Sequence, residues 1–148
     1  MGNIYACGNT YSPSYVIGGD QDIAVFNFLP SNMKYDRPNG WSIVWGGPLT
    51  ETATGIAVDE TSENVYISGY TNSEGTLSGF KYDMIVLKLK ASTGILIWAR
   101  RFGGNMNDRA YGLTTYGSSL YIVGESDSPG WTSVKTDMII IKMDPLTQ

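Results

Sequence analysis

The sequence predicts an all-β protein in which short strands form repeated four-stranded sheets. A seven-residue motif of aromatic, aliphatic and small residues recurs without gaps at positions 4–10, 65–71 and 120–126. A second motif, in which an aspartate precedes four apolar residues, occurs at Asp22, Asp83 and Asp137. The 148 residues also include 18 glycines and only 16% charged residues, which is typical of a turn-rich β chain.

The spacing of the two motifs favours the blades of a β-propeller. The first motif repeats after 61 and 55 residues, and the second repeats after 61 and 54 residues. Strand-based solenoids have periods of roughly 20–30 residues, whereas propeller repeats take about 40–50. We therefore predict a partial propeller over residues 1–148 with about two and a half four-stranded blades. An incomplete blade is expected at approximately 3–48, a complete one at 52–105 and an incomplete one at 108–145.

The strands are predicted from apolar runs separated by turn residues. Pro30 ends the second strand, since proline cannot donate to a ladder, and Gly46 and Gly47 end the third. The predicted strands are 3–10, 22–29, 41–45, 53–59, 64–70, 83–90, 95–101, 109–115, 119–125 and 137–143.

The strand at 83–90 is apolar on both sides, because residues 84–87 are all apolar. Such a strand is expected to be buried on both faces, as in a blade that lies between two neighbours. Lys88 and Lys90 follow toward its end, where both side chains are expected to reach water.

The chain resembles the SBBP-type (seven-bladed) β-propeller repeat family, and the repeats that carry the resemblance cover nearly the whole chain. The matching segments are Gly103-Gly104, Asp108, residues 120–124, residues 137–142, Thr93-Gly94 and Trp98. The departures are Glu51 in place of an aspartate, a third strand shortened at Trp45-Gly46-Gly47, and residues 116–119 in place of the Asp-rich turn at 59–63. The resemblance implies a propeller scaffold in an extracellular or cell-surface protein, with a cytosolic or cytoskeletal assembly as the alternative.

Residues at equivalent places in the repeats are predicted to have structural roles: Asp22, Asp83, Asp137, Trp45, Trp98, Gly69 and Gly124. We expect the aspartates to accept hydrogen bonds from backbone N–H groups of the preceding loops. Trp45 and Trp98, 53 residues apart, are expected to pack between blades. A calcium site at Asp20-Gln21-Asp22 is not favoured, because further oxygen ligands at regular spacing are missing.

One face of the predicted propeller is the candidate binding surface. It combines the loops at 11–21, 72–82 and 127–136 with the connections at 46–52 and 102–108, and loops on a rigid scaffold commonly carry recognition. The candidate residues are Tyr15, Phe80, Tyr82, Asn105, Asn107, Asp108 and Trp131. Aromatic residues among polar ones suit a protein or a glycan, but they are equally consistent with caps of the blade ends. Trp41 and Trp131 are expected to be exposed.

The composition argues against catalysis and against several classes of partner. The chain has no histidine, and Cys7, its one cysteine, is expected to be a small buried thiol without a basic helper. No catalytic residue, cofactor or metal is predicted. Gly103-Gly104 lacks the lysine of a phosphate-binding loop, and we expect Arg100, Arg101 and Arg109 to be solvated. A net charge of −4 argues against nucleic acid, and no apolar run approaches 18 residues, so neither a membrane span nor a leader is predicted.

These observations predict a non-enzymatic scaffold for protein–protein interaction or assembly. A glycan-binding propeller is the alternative, and a glycosidase or lyase fragment that uses carboxylates such as Asp108 or Asp137 is the least favoured. Because about two and a half blades cannot close a ring, we expect further blades of the same or a neighbouring chain to cover the apolar end faces.

Overall fold

Ten β-strands form three antiparallel sheets, so the all-β prediction is confirmed. The computed structural model describes residues 2–11, 21–30, 40–61, 63–73, 81–128 and 136–146, and it has no helix in these ranges. Sheet 1 contains β1 (Ile4–Thr10), β2 (Asp22–Phe28) and β3 (Trp41–Trp45). Sheet 2 contains β4 (Glu51–Val58), β5 (Asn64–Thr71), β6 (Asp83–Lys90) and β7 (Leu96–Phe102). Sheet 3 contains β8 (Asp108–Tyr116), β9 (Ser119–Ser126) and β10 (Asp137–Met143).

The strand pairing shows which strands are equivalent. β1 pairs with β2, β5 with β6 and β9 with β10, and each pair aligns a hydroxyl residue with an aspartate: Thr10 with Asp22, Thr71 with Asp83, and Ser126 with Asp137. β1, β5 and β9 therefore occupy the same place in their sheets. On its other side β5 pairs with β4, and β9 pairs with β8. Among the described residues β1 has only β2 as a neighbour in its sheet.

The same pairing corrects the predicted equivalence of Trp45 and Trp98. Trp98 pairs with Lys88 of β6, and the residue of β2 in the position of Lys88 is Asn27, which pairs with Trp41. Trp41 is therefore the equivalent of Trp98. Trp45 lies where sheet 2 carries Phe102.

The central strands of sheet 2, β5 and β6, are buried on both faces, as predicted for β6. One face packs against sheet 1 in a core that includes Ile23, Val25, Ile67 and Leu87. The other face packs against sheet 3 in a core that includes Tyr66, Met84, Val86, Leu120 and Ile122. Seven of the eight residues of β6 are buried, which an apolar run allows only when both sides are covered.

The expectation that Lys88 reaches water is wrong. Its side chain is buried, and the Nζ atom donates a hydrogen bond to the Pro145 carbonyl at 3.3 Å. The same ammonium lies 5.7 Å from the centroid of the Tyr66 ring, at a distance suited to a cation–π contact. Lys90 stays partly exposed and forms a 3.4 Å ion pair with Glu63.

Gly69 and Gly124 are required by close approaches of the neighbouring strand. A Cβ atom on Gly69 would overlap the Thr52 carbonyl of β4, and one on Gly124 would overlap the Arg109 carbonyl of β8. Both approaches lie beside irregularities of the ladder, between Ala53 and Gly55 and between Ala110 and Gly112. These bulges bend the first strand of each sheet over the second.

We expect Gly69→Ala to lower the free energy of unfolding by about 1–3 kcal/mol, because the added methyl group must displace backbone. Gly8→Ala is the matched control, since Gly8 holds the same position in β1 and a Cβ there would meet no atom within 4 Å. Its expected effect is within about 0.5 kcal/mol. Denaturant unfolding measures both variants, and equal effects would contradict the carbonyl overlap.

Candidate interaction surface

A buried carboxylate fastens the connection between sheets 1 and 2. The Glu51 side chain is fully buried at the start of β4. Its Oε2 atom accepts a hydrogen bond from the Gly47 backbone N–H at 2.7 Å, and its Oε1 atom accepts one from the Thr71 hydroxyl at 2.7 Å. The carboxylate therefore joins the glycine turn to the end of β5. We call this arrangement a carboxylate clasp.

A second carboxylate clasp has the same design between sheets 2 and 3. Asp108 Oδ2 accepts hydrogen bonds from the Gly104 N–H at 2.7 Å and from the Ser128 hydroxyl at 2.8 Å. Asp108 Oδ1 accepts one from the Ser126 hydroxyl. Glu51 and Asp108 therefore have the same role, and the departure at position 51 leaves the turn unchanged.

Two residues beyond the strand-end hydroxyl of each clasp, at Ser73 and Ser128, a serine binds the rest of the connection. Ser73 Oγ accepts a hydrogen bond from the Leu49 N–H at 2.9 Å, and Ser128 Oγ accepts one from the Met106 N–H at 3.1 Å. Each connection is thus bonded to the segment that directly follows the second strand of the next sheet.

The backbone role predicted for Asp83 is wrong. Its Oδ2 atom pairs with Arg101 Nε at 3.3 Å, and its Oδ1 atom has no hydrogen-bond partner among the described residues. Carboxylates that do accept backbone N–H bonds are Glu51, from Gly47, and Asp108, from Gly104. Asp22 is buried, whereas Asp137, at the same position of sheet 3, is exposed.

Asp83 and Asp108 lie on either side of one glycine. A Cβ atom on Gly103 would overlap the Asp83 carboxylate and would lie 3.1 Å from Asp108 Oδ2. Burial raises the pKa of Asp83, the Arg101 guanidinium lowers it, and the Asp108 carboxylate raises it, with a net increase. The folded protein therefore holds the Asp83 proton to a higher pH than the unfolded chain does.

Because the folded protein binds the Asp83 proton more tightly than the unfolded chain does, we expect the contribution of Asp83 to the free energy of unfolding to fall as the pH rises. The stabilisation is complete below the ordinary pKa of 3.8 and is lost as the pH rises through the raised pKa of the folded state. Denaturant unfolding across acidic pH should show the free energy of unfolding of wild type falling relative to that of Asp83→Asn. Asp137→Asn, at the exposed equivalent position, is the control. A difference that rises with pH would contradict the assignment.

The first clasp should depend on the Thr71 hydroxyl. We expect Thr71→Val to lower the free energy of unfolding by about 1.5–3 kcal/mol, because a buried carboxylate loses a hydrogen bond and valine keeps the shape. Thr61→Val is the control, since the exposed Thr61 hydroxyl also donates to a carboxylate, that of Asp59 at 3.0 Å. Chemical denaturation compares the two variants, and a loss no larger than that of the control would argue against the clasp.

The predicted binding residues are only partly within the described structure. Tyr15, Phe80 and Trp131 lie outside the described residues. Tyr82 stacks edge-on with Tyr70 at 5.1 Å between ring centroids, and the Arg109 guanidinium lies 5.0 Å from its ring. Tyr82 therefore contributes to the junction of sheets 2 and 3.

The polar candidates lie at the same junction. Asn107 Oδ1 accepts a hydrogen bond from the Tyr82 N–H at 3.2 Å, and Asp108 is held in its clasp. Asn105 is exposed, and its carbonyl accepts a hydrogen bond from Lys81 Nζ. The glycan-binding hypothesis stays a prediction.

The three tryptophans in the described part of the chain pack between sheets. Trp41, expected to be exposed, is half-buried, and its Nε1–H donates to the Ala91 carbonyl at 2.8 Å while its ring packs on Gly94. Trp45 packs on the core between sheets 1 and 2, and Trp98 packs on the core between sheets 2 and 3.

The cysteine and two of the three arginines singled out in the sequence are packed against, or paired with, other residues. Cys7 is a free, half-buried cysteine, and burial raises the pKa of its thiol. Arg109 pairs with Glu125 at 3.0 Å, and Arg100 lies over the Trp98 ring. In the described part of the chain no three histidine, cysteine or acidic residues are grouped to hold a metal ion. The same residues contain no helix that could span a membrane.

The outer face of sheet 3 is an exposed apolar surface, which we define by Tyr121, Val123, Met138, Ile140 and Lys142. Met138 is 79% exposed, Ile140 is 61% exposed and Val123 is 43% exposed. Exposed apolar patches on proteins are often sites of interaction.

The outer face of sheet 1 is hollow. It carries a cavity of about 510 Å³, whose lining includes Ala6, Gly8, Ala24 and Phe26. Ala6 and Ala24 leave this space, because sheets 2 and 3 carry isoleucines at the equivalent positions.

Comparisons with known proteins assign no family. No protein-family model matches this chain, and no curated protein matches it.

Proposed function

We propose that the chain is a non-enzymatic β-propeller scaffold for assembly, and that its partner is another sheet of the same repeat. The three sheets would be neighbouring blades about one axis. Packing of β4 beside β1 and of β8 beside β4 supports this arrangement, because each sheet meets the next through its inner strands. Following the family resemblance, we place the scaffold outside the cell or on its surface.

The proposal depends on a comparison of two faces. The face of sheet 2 that sheet 3 covers and the uncovered outer face of sheet 3 carry similar residues at equivalent positions. Sheet 3 buries Tyr66, Met84 and Val86 of sheet 2. Their equivalents in sheet 3, by strand register, are Tyr121, Met138 and Ile140. The outer face of sheet 3 therefore has the chemistry of a face that already receives a sheet.

A charged residue also matches: Lys142 of sheet 3 is the equivalent of Lys88 of sheet 2. Its Nζ atom lies 5.7 Å from the Tyr121 ring, as Lys88 lies 5.7 Å from Tyr66. Lys88 also donates to the carbonyl of Pro145, which lies just beyond the last strand of the following sheet. A sheet placed on Lys142 would present the corresponding carbonyl, which in this chain is that of Pro30.

The outer face of sheet 1 fits the opposite side of such an interface. Ala6 and Ala24 stand where sheet 2 has Ile67 and Ile85, which leaves room for projecting side chains. Met138 and Ile140 are projecting side chains of this kind. Two copies joined head to tail would supply six sheets, which lies within the roughly four to eight blades of closed propellers.

We expect Ile140→Glu to abolish self-association, because it places a charge in an apolar interface. Light scattering after size-exclusion chromatography should give twice the 16.2 kDa of one chain for wild type and a single chain for the variant. Ile97→Glu is the matched control, since Ile97 is an exposed strand residue outside both outer faces, and its mass should stay that of wild type.

Mixing two variants that are each monomeric gives a stricter test of the head-to-tail interface. Ala6→Lys should also be monomeric, and mixing it with Ile140→Glu should restore the doubled mass, because the mixed pair has one wild-type interface and one of opposite charges. A wild-type chain that is monomeric with a sharp unfolding transition would contradict the assembly role.

A further inference from the structure

We propose that a cavity between sheets 2 and 3 binds the ammonium group of a lysine side chain from a partner protein. The cavity has a volume of about 560 Å³ and lies where the turns that join β4 to β5 and β8 to β9 meet the residues that follow β10. We call it the acidic cavity, because Asp59, Glu60 and Glu63 line it. It is formed at the ends of strands, whereas the assembly proposed above uses the outer faces of sheets 1 and 3.

Two hydrogen bonds between the turns hold the walls of the acidic cavity together. The Gly117 N–H donates to Glu60 Oε1 at 2.9 Å, and the Thr115 hydroxyl donates to the last carbonyl of β4 at 2.9 Å. Within the turn of sheet 2, Asp59 Oδ1 accepts a hydrogen bond from the Glu63 N–H at 2.8 Å. The fold therefore positions Asp59 and Glu60 before a ligand binds.

Tyr66 presents its hydroxyl group to the acidic cavity. The residue is only 1% exposed, and it belongs to the lining of the cavity. Its ring lies against the Trp98 ring, at 6.2 Å between centroids, and the Lys88 ammonium lies 5.7 Å from its centroid. The hydroxyl end is therefore the part of Tyr66 that a ligand in the cavity can reach.

The Tyr66 hydroxyl lacks the hydrogen bond that its equivalent makes. Tyr5 holds the same position in sheet 1, and its hydroxyl donates to the Ala91 carbonyl at 3.3 Å. The equivalent carbonyl after sheet 3 is that of Pro145, which accepts from Lys88 instead. The described residues give the Tyr66 hydroxyl no hydrogen bond, so a buried polar group faces the cavity without a partner.

The surroundings of this hydroxyl are negatively charged. Burial and the carboxylates of Asp59 and Asp144 raise the pKa of Tyr66 to about 12, so the hydroxyl keeps its proton at neutral pH. Its oxygen has lone pairs that can accept a hydrogen bond from a cationic donor.

The balance of charge around the acidic cavity also favours a cation. Its three carboxylates are joined by that of Asp144, and the neighbouring ammonium groups are those of Lys88, beside Tyr66, and Lys90, beside Glu63. These groups together leave an excess of two negative charges. A concave surface with one sign of charge raises the local concentration of ligands of the opposite sign.

An ammonium group fits the acidic cavity better than a guanidinium group. A guanidinium group binds well where it can stack on an aromatic face, and the Tyr66 ring is already covered. An ammonium group is a compact charge with three donors, which can serve the Tyr66 oxygen and the carboxylates of the walls together. The apolar stem of a lysine would lie along Leu146, which is 72% exposed and lines the cavity.

A labelled tetralysine peptide tests the site by fluorescence anisotropy, with the full chain as titrant at low ionic strength. We expect saturable binding. A peptide with acetylated lysines should bind at least about tenfold more weakly, because acetylation removes the charges, and a tetra-arginine peptide at least about threefold more weakly. Absent binding by the folded chain, or equal binding of either comparison peptide, would overturn the proposal.

Tyr66→Phe is the decisive variant. Because it removes a hydroxyl that has no partner, its denaturation midpoint should match or exceed that of wild type, while its affinity for the tetralysine peptide should fall about tenfold. Tyr5→Phe is the matched control. It removes the hydrogen bond to Ala91, so its midpoint should fall and its affinity for the peptide should stay that of wild type. An unchanged affinity of Tyr66→Phe would contradict the site.

The charge of Glu60 can be removed while its hydrogen bond is kept. Glu60→Gln retains an oxygen for the Gly117 N–H, and its affinity for the peptide should fall about two- to fivefold, as expected for an exposed ion pair. Asp137→Asn removes an exposed carboxylate at the end of β10 that is far from Pro145, and it should have no effect. Equal losses in the two variants would indicate attraction by overall charge alone, and the proposal would fail.

The acidic cavity belongs to a single chain. Ile140→Glu should therefore bind the tetralysine peptide as wild type does, whatever the mass of wild type in solution. Failure of the sheet-face assembly and failure of the lysine site thus give different results.

Discussion

The burial of one sheet between two others is the constraint on which this structure depends. The central strands of sheet 2 are apolar on both sides, and an isolated sheet with two such faces would expose both to water. Sheet 1 covers the side with Ile67 and Leu87, and sheet 3 covers the side with Met84 and Val86. The carboxylate clasps then fix the connections at the ends of the sheets, where hydrogen bonds to buried carboxylates replace water.

Most of the fold could be predicted because its signals are local and repeated. The apolar runs defined the strands, and three copies of two motifs defined three sheets of three, four and three strands. The double burial of β6 followed from residues 84–87, since a strand with no polar side cannot face water. The importance of Gly69 and Gly124 was visible in the repeat, although its cause, a carbonyl of the neighbouring strand, is a contact between strands.

The remaining features depend on register and on long side chains, which the sequence does not specify. Trp45 was matched with Trp98 by residue type, but backbone pairing gives that position to Trp41. Lys88 has a stem long enough to carry its ammonium group to the Pro145 carbonyl inside an interface. The roles of the acidic residues could be separated only in three dimensions. The carboxylate that accepts the backbone N–H of each glycine turn comes from the following strand, although Asp83 of the aspartate motif also lies against Gly103.

The clasps also determine how a chain of this type can change its length. Each one draws its carboxylate, its hydroxyl donor and its glycine turn from a single continuous segment, at 46–73 in one case and 103–128 in the other. A duplicated or deleted segment of one period would therefore bring or remove a whole fastening and leave the others intact. A segment repeated in this way would need no compensating substitution at the new joint, because the carboxylate, the hydroxyl and the glycine turn arrive together.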